Sequence, residues 1–450
     1  MMKFRILAPL LKTFFIINLV AFSAYTHAVP SFARQTGLEC AACHVGAFGP
    51  QLTPHGMHFK LGGYTETDGK EGKIPVAAML VEGFTHTNKS LTEDAQPHFG
   101  KNDNLSLQEL SIFLAGRMTD HIGTFIQVTG NDFDQRFGMD NMDIRFADSK
   151  PISGKNLTYG ISINNNPTIQ DPFNTLSGWI FPYMASELAP GPEASPFING
   201  ALEQQVIGVS AYGFYDDHFY AELGGYKTLS RSIRNKLNVG EDGRLDGIAP
   251  YWRLTYFNDM TEQNFRVGLF GMSSRLQPEF MSGPTDNYRD IGVDAAYQYM
   301  GTKEHIFTIS TSYINERRTL NNAFDGGGAS HLHGTLKRFD LAGSYTYKNT
   351  YGVTAAVFDI RGNQDDTLYN NGEADSGSIN GSPNSRGYIL QADWTPWGKE
   401  NSWGAPFANM RLGIQYTGYT KFNGAKNDYD GLGRDAKDNN TTFIFAWFAI

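Results

Sequence analysis

From about residue 74 onward, the chain alternates apolar and polar positions in short segments that are separated by turn residues. The alternation is clear at 265–269, 293–299 and 412–416. A period of two predicts strands whose two faces meet different surroundings. We predict sixteen such strands, at 75–88, 104–116, 121–130, 140–148, 156–165, 204–215, 218–228, 249–258, 263–273, 289–300, 303–315, 334–347, 351–361, 385–395, 409–420 and 441–450.

The links between the predicted strands alternate in length. Counting from the second strand, every other link is short, namely 117–120, 148–156, 216–217, 258–262, 301–302, 348–350 and, as the longest of these, 395–406. Most of the remaining links are much longer, such as 166–204 and 361–384. Short turns at one end and long loops at the other are typical of outer-membrane barrels. The pattern therefore predicts an all-β fold, a sixteen-stranded antiparallel barrel over 75–450, and a soluble all-β domain is the alternative.

The same phase predicts the orientation of the barrel in a bacterial outer membrane. The first strand must rise from the periplasm, and the apolar segment 441–450 closes the barrel, ending in Ile450 where such proteins usually end in Phe. An aromatic content of 13% and 49 glycines agree with many strands and turns. After residue 28 no apolar run approaches the roughly 20 residues of a spanning helix, so outer-membrane lipid would be met by strands. A net charge of −9 argues against a nucleic-acid partner.

The N-terminus has the pattern of a secretory signal peptide. Lys3 and Arg5 form a positive region, and an apolar stretch follows at 6–24. Small residues at Thr26 and Ala28 predict cleavage after Ala28, so residues 1–28 are interpreted as the signal peptide. A membrane anchor is the alternative, which the polar residues inside the stretch oppose.

Cys40, Cys43 and His44 form a C-x-x-C-H motif soon after the predicted cleavage site. This spacing is typical of c-type haem attachment, in which two thiols bond the vinyl groups and the histidine ligates the iron. A thioredoxin-like pair and a structural disulfide are the alternatives, but no βαβ pattern surrounds the motif. These are the only two cysteines of the chain. We therefore predict one covalent haem c, with His44 as the proximal ligand.

The sequence leaves the second axial ligand of the iron open. His55, Met57 and His58 lie in a segment that Thr53 can cap as a helix and that Gly62 can end. His55 and His58, three residues apart, share a face of that helix, whereas Met57 points elsewhere. A fourth candidate is Met79, at the start of the next segment.

The segment 29–74 is too small to bury a core of its own, so we expect it to use the haem and the barrel wall as partners. We predict it as a monohaem cytochrome segment in or under the lumen. The longest loop, 166–204, either folds into the lumen as a constriction over the haem or forms an ordered surface lid. A haem inside the lumen would connect an external donor with a periplasmic carrier.

Several motifs together resemble the fused monohaem cytochrome–porin family, whose best-known members are the outer-membrane iron oxidases. They are Phe32-Ala33-Arg34-Gln35-Thr36-Gly37, the Cys40–Cys43–His44 motif, Leu52-Thr53, Phe59-Lys60, Gly63-Tyr64 and the stretch 164–172. The resemblance covers the haem segment, the long loop and the sixteen-strand plan. Members of the family often show Phe-Gly-Arg where this chain has His55-Gly56-Met57.

The resemblance implies oxidation of extracellular Fe(II), with electrons passing to a periplasmic electron-carrier cytochrome; as an enzyme, the protein would be an iron oxidase. Acidic loop residues that would attract Fe(II) include Asp132, Asp134, Asp365 and Asp366, although a solvated loop is the alternative for each. Two other functions stay open. One is export of electrons to an extracellular acceptor, and the other is a solute porin whose haem segment plugs the pore.

Overall fold

A computed structural model describes residues 30–240, 243–277, 283–370, 372–398 and 408–450. The predicted signal peptide lies outside these residues, as does part of the predicted link 395–406. Five helices are described, of which the first three precede the strands: α1 (Pro30–Thr36), α2 (Cys40–Cys43), α3 (Pro54–Leu61), α4 (Arg231–Leu237) and α5 (Asn321–Asp325). Short 3-10 turns occupy Val45–Ala47 and Ala436–Asn439. No helix of the described residues is long and apolar enough to cross a bilayer.

The rest of the described chain is built on one antiparallel sheet. Its strands are β1 (Val76–Thr87), β2 (Asn104–Arg117), β3 (Ile122–Gly130), β4 (Phe137–Ile152), β5 (Lys155–Asn164), β6 (Val206–Tyr215), β7 (Phe219–Thr228), β8 (Arg244–Leu245), β9 (Ala249–Asp259), β10 (Gln263–Gln277), β11 (Asp286–Tyr299), β12 (His305–Leu320), β13 (His333–Tyr347), β14 (Tyr351–Gly362), β15 (Ser385–Trp394), β16 (Asn409–Lys421) and β17 (Thr441–Ala449).

Each long strand pairs with its neighbours along the chain, and the sheet closes on itself. The two-residue strand β8 pairs only with the outer end of β10, while β7 pairs directly with β9. Closure is made by β1 and β17, which run antiparallel with Met79 opposite Ala449 and Thr87 opposite Thr441. The sixteen long strands therefore form the closed antiparallel barrel that the sequence predicts.

All sixteen predicted strands are present, and several are longer than predicted. β10, β11 and β12 continue past their predicted outer ends to Gln277, Asp286 and Leu320, where they still pair with one another. The predicted link 148–156 is in fact a two-residue turn, because Ser153 and Gly154 adopt positive φ values of 51° and 78° and the strands pair up to it. The added residues include polar and charged ones such as Ser274, Arg275 and Arg317.

The two faces of the barrel wall differ sharply in chemistry. On β5, Ile161 and Ile163 are 46% and 38% exposed, whereas Ser162 and Asn164 between and after them are fully buried. The same alternation places apolar side chains on the outside of nearly every strand, whereas the buried inner face carries polar and charged side chains together with aromatic ones such as Phe113, Phe443 and Trp447. An outward apolar band on a closed barrel is the surface of an outer-membrane protein.

The lumen is filled by the N-terminal segment and by the long loop between β5 and β6. Inward-facing strand residues bond to the segment from several sides: Arg145 donates to the Lys60 carbonyl, Tyr212 to the Leu61 carbonyl, and Arg411 to the Phe48 carbonyl, at 3.0, 2.6 and 2.6 Å. From the loop, Asp171 is fully buried beside Arg253 of β9 at 3.3 Å. Helices α1 to α3 and this loop therefore pack together inside the wall.

Candidate functional site

Helix α2 is a single turn that consists of Cys40, its two alanines and Cys43. Residues three apart lie on the same face of a helix, so both sulfurs point to the same side. The thiols are not joined as a disulfide. Burial raises the pKa of both thiols, that of Cys43 to about 12, with the Glu66 carboxylate adding to the effect. Both sulfurs are therefore neutral thiols in this structure.

His44 follows the turn directly, and its backbone N–H closes the helix by donating to the Cys40 carbonyl at 2.9 Å. Its ring Nδ1 is buried without a hydrogen-bond partner among the described residues. Burial lowers the pKa of His44 to about 4, although the nearby Gly49 carbonyl opposes this. The imidazole is therefore neutral at physiological pH, which is the form that ligates a metal.

The third helix fixes the position of this motif. Thr53 caps α3 by accepting from the Gly56 N–H at 3.3 Å, Pro54 opens the helix and Gly62 ends it, as the sequence predicts. The Thr53 N–H also donates to the Cys43 carbonyl at 2.9 Å. Gly56 packs so closely on that carbonyl that an added Cβ would overlap its oxygen.

Cys40, Cys43 and His44 line one cavity of about 370 Å³ inside the barrel. This volume falls in the range of ordinary cofactor pockets. Most of its other walls are apolar: they come from Met79 on β1, from β2, β3 and β17 through Phe113, Phe125 and Trp447, and from the long loop through Trp179, Tyr183 and Met184. Two thiols on one face, a neutral imidazole whose Nδ1 has no hydrogen-bond partner among the described residues, and a largely apolar chamber fit a c-type haem.

The four predicted candidates for the second axial ligand lie in different places. Met57 is fully buried in an apolar cluster with Leu52 and Phe214, away from the cavity. His58 packs its ring against Phe214 at 5.8 Å, and His55 forms an ion pair with Glu66 at 3.2 Å. Only Met79 of the four lines the cavity.

Met184 is a cavity residue that sequence reasoning missed. It packs against the cluster that contains Met79 and Trp447, and its carbonyl accepts from Gln415 of β16 at 3.0 Å. The signal that was available is the apolar run 179–184 inside an otherwise polar loop. The cavity thus offers two thioether sulfurs on the chain in addition to His44.

Three of the four acidic loop residues are solvated, whereas Asp365 is buried and serves as a structural acceptor. Asp132, Asp134 and Asp366 are exposed, and Asp132 accepts from the Leu107 N–H at 2.8 Å. Asp365 is 5% exposed and accepts from backbone N–H groups such as those of Ser330 and His331. Within the described residues, no group of three or more acidic, histidine or cysteine side chains is arranged to hold a metal ion.

No protein-family model and no curated protein matches this chain. Solved structures similar to it include OmpF of Salmonella typhi in complex with daunomycin, at 10% identity over 84% of this chain and 98% of that chain, with a TM-score of 0.46. Another is an anion-selective porin of Comamonas acidovorans, at 10% identity over 83% and 98%, with a TM-score of 0.46. The channel DcaP of Acinetobacter baumannii shows 11% identity over 84% and 97%, with a TM-score of 0.45. The assignment of the fold rests on the strand pairing described above.

Proposed function

We propose that this protein is an outer-membrane cytochrome of the fused cytochrome–porin kind, which transfers electrons from an extracellular donor to a periplasmic cytochrome. The observation that carries the proposal is the cavity in which Cys40, Cys43 and His44 meet inside the lumen of the barrel. A haem inside the lumen lies closer to both faces of the membrane than a haem on one rim of the barrel would. An electron therefore has a shorter distance to cross on each side.

The chain's own residues would hold the cofactor. Cys40 and Cys43 would form thioether bonds to the haem, and His44 together with the sulfur of Met79 or Met184 would ligate its iron. When bound, the haem supplies a one-electron carrier. The apolar walls from β1, β2, β3 and β17 exclude water, and His/Met ligation raises a haem potential relative to bis-histidine ligation. A raised potential suits acceptance of electrons from a weak donor.

Ferrous iron is the proposed donor because of the motifs that resemble the iron oxidases. Fe(II) would give up one electron at the outer face, and a soluble cytochrome would collect it at the periplasmic face. With β1 beginning on the periplasmic side, as the loop lengths predict, the haem segment would start at the face where the periplasmic cytochrome binds.

The decisive experiment uses full-length protein that is produced with the haem-attachment machinery and purified in detergent. We expect a c-type spectrum that survives denaturation, and we expect the Cys40→Ser/Cys43→Ser double variant to lose covalent haem completely. Fe(II) added at neutral pH should reduce the haem rapidly. A haem that stays oxidised would exclude iron as the donor, and a wild-type protein without covalent haem would exclude the cytochrome itself.

The axial ligand is tested on the same material. Met79→Leu or Met184→Leu, whichever removes the ligand, should lower the reduction potential and change the optical and EPR signatures of the ferric haem. Met57→Leu is the matched control, since Met57 is buried but lies outside the cavity. If neither cavity variant changes these signatures, neither methionine is a ligand.

A solute porin is the second candidate, and the closed sixteen-stranded barrel favours it, because a barrel of this size can hold an aqueous channel. In this reading the N-terminal segment serves as a plug. Planar-bilayer conductance separates the two functions. A large, steady open-channel current through haem-loaded protein would support the porin, and a closed pore with rapid reduction by Fe(II) would support electron transfer.

A further inference from the structure

A buried lysine that forms no ion pair within the described part of the chain faces the cavity. Lys60, in the last turn of α3, is 5% exposed and lines the same chamber as His44. Two nearby carboxylates are engaged elsewhere, since Asp143 pairs with Arg145 at 2.6 Å and Asp171 lies 3.3 Å from Arg253. Among the described residues, no carboxylate lies within ion-pairing distance of the Lys60 ammonium group.

Neutral groups of the long loop hold this ammonium group in place. Lys60 Nζ donates to the Ile169 carbonyl at 2.8 Å and to Asn174 Oδ1 at 2.9 Å. The Trp179 ring lies 4.4 Å from the same nitrogen, and its own Nε1 donates to the Ile169 carbonyl at 2.8 Å. An ammonium group has three N–H donors, and these two hydrogen bonds use two of them; the carboxylates of Asp143, Asp171 and Glu222 favour the charged form only from a distance.

A buried charge without a counter-ion is costly, whereas a carboxylate at hydrogen-bonding distance offsets much of that cost. Burial, together with the Arg145 guanidinium, lowers the pKa of Lys60 to about 7. Of the acidic side chains that line the chamber, Glu109 accepts hydrogen bonds from Ser111 and Gln127. The chamber thus presents a buried amino group whose charged form an anionic group of the occupant would stabilise.

We propose that Lys60 binds a carboxylate of the cofactor that occupies the cavity, namely a propionate group of the covalently attached haem. The inference rests on the proposed function, because it takes the cofactor to be haem. Haem carries two propionates on the edge away from its thioether bonds. Lys60 lies one helical turn beyond Gly56, about 6 Å further along the axis of α3 from the contact with Cys43. Cys40 and Cys43 therefore line a different part of the chamber from Lys60.

The test uses full-length, haem-loaded protein and two readouts, the midpoint potential and the EPR signature of the ferric haem. Lys60→Met removes the charge and keeps the length, and Lys60→Arg keeps the charge. Lys70→Gln is the matched control, because Lys70 belongs to the same segment but its side chain is 80% exposed. Lys60→Gln serves as a second neutral variant if Lys60→Met does not fold.

Ferric haem carries one more positive charge than ferrous haem, so loss of a neighbouring cation favours the ferric form. We expect Lys60→Met to shift the equilibrium with a fixed redox partner at least tenfold toward oxidised haem, which is 59 mV for a one-electron couple. Lys60→Arg should stay within threefold of wild type, and Lys70→Gln should equal it. The EPR signature should be the same in all four proteins.

Two results would overturn the inference. One is a neutral Lys60 variant whose potential equals that of Lys70→Gln, and the other is a Lys60 variant with an altered axial-ligand signature, which would make the lysine an iron ligand. A wild-type protein that lacks covalent haem would instead refute the proposed function, so the two failures are distinguishable.

Discussion

Two adjacent residues of β9 show how differently the two sides of this barrel are built. Arg253 points into the lumen, is fully buried, and lies 2.8 Å from Asp294 of β11 and 3.3 Å from Asp171 of the long loop. Leu254, the next residue, points outward and is 51% exposed. At this pair of residues the usual relation between burial and polarity is reversed, because the outer side chain faces hydrocarbon while the inner one lies beside two buried carboxylates. The local alternation of side chains along each strand defines the two faces of the wall. Ion pairs between residues far apart in the chain connect the wall to the long loop inside it.

The largest effect is expected when the inner side is broken. Arg253→Met leaves two buried carboxylates, of which Asp294 has no other hydrogen-bond donor among the described residues. Removing one partner of a buried ion pair costs about 3–5 kcal/mol. We expect a loss of this size in the free energy of unfolding, measured by urea titration in detergent micelles.

Arg275→Met is the control for that variant, since Arg275 pairs with Asp246 at 3.0 Å while both side chains are more than half exposed. Exposed pairs contribute about 0–1 kcal/mol. Equal losses in the two variants would show that the lumen is far wetter than its packing indicates.

The next effect tests the outer side of the same strand. Leu254→Arg places a charge at the middle of β9, near the midplane of the bilayer. It should lower the free energy of unfolding by about 2–4 kcal/mol. Leu105→Arg, at the outer end of β2, alters an even more exposed leucine near the interface and should cost about 0–1 kcal/mol. Refolding yields into lipid vesicles measure both, and a reversed order would contradict the membrane position that we assign.

A smaller effect is expected inside the N-terminal segment. Gly56→Ala forces α3 away from the Cys43 carbonyl, and overpacking of this kind costs about 1–3 kcal/mol. Amide hydrogen exchange over residues 40–61 should report the loss as faster local opening. Gly343→Ala is the control, because an added Cβ there meets no atom within 4 Å. Unchanged exchange in Gly56→Ala would mean that the two helices are not tightly packed.

The smallest effect concerns pH and sharpens the role of Lys60. Its pKa of about 7 in the haem-free protein lies below the ordinary value of 10.5. Between these values the unfolded chain binds more protons than the folded one, so stability should rise with pH, by at most about 1.4 kcal/mol per pH unit. Urea titrations of haem-free protein at pH 7, 8 and 9 should show the rise.

Lys60→Met should remove this pH dependence, whereas Lys70→Gln should keep it. Haem-loaded wild-type protein should show a weaker rise, since a propionate would keep the lysine protonated. A steep rise that persists in Lys60→Met would assign the titration to another group.

The sequence by itself determined the barrel. A strand is recognised from the alternation of apolar and polar residues over a few positions. The alternation of short and long links between strands shows at which end of the barrel each turn lies. The capped helix at Thr53 was equally readable, because capping depends on neighbours within four residues. The predicted ends were less accurate at β4 and β10 to β12, since pairing beyond the apolar band depends on the partner strand and not on local hydropathy.

Only the tertiary structure decided which side chains share the cavity. Three candidates are close to His44 in the chain but lie outside the cavity: His55 pairs with Glu66, and Met57 and His58 pack near Phe214. Met79 of β1 and Met184 of the long loop line the cavity instead. The same holds for Lys60, whose missing counter-ion is visible only once Arg145 and Arg253 are seen to occupy the nearby carboxylates. The methionines that share the cavity with His44 lie 35 positions (Met79) and 140 positions (Met184) from it in the chain, and nothing in a local pattern encodes which residues meet.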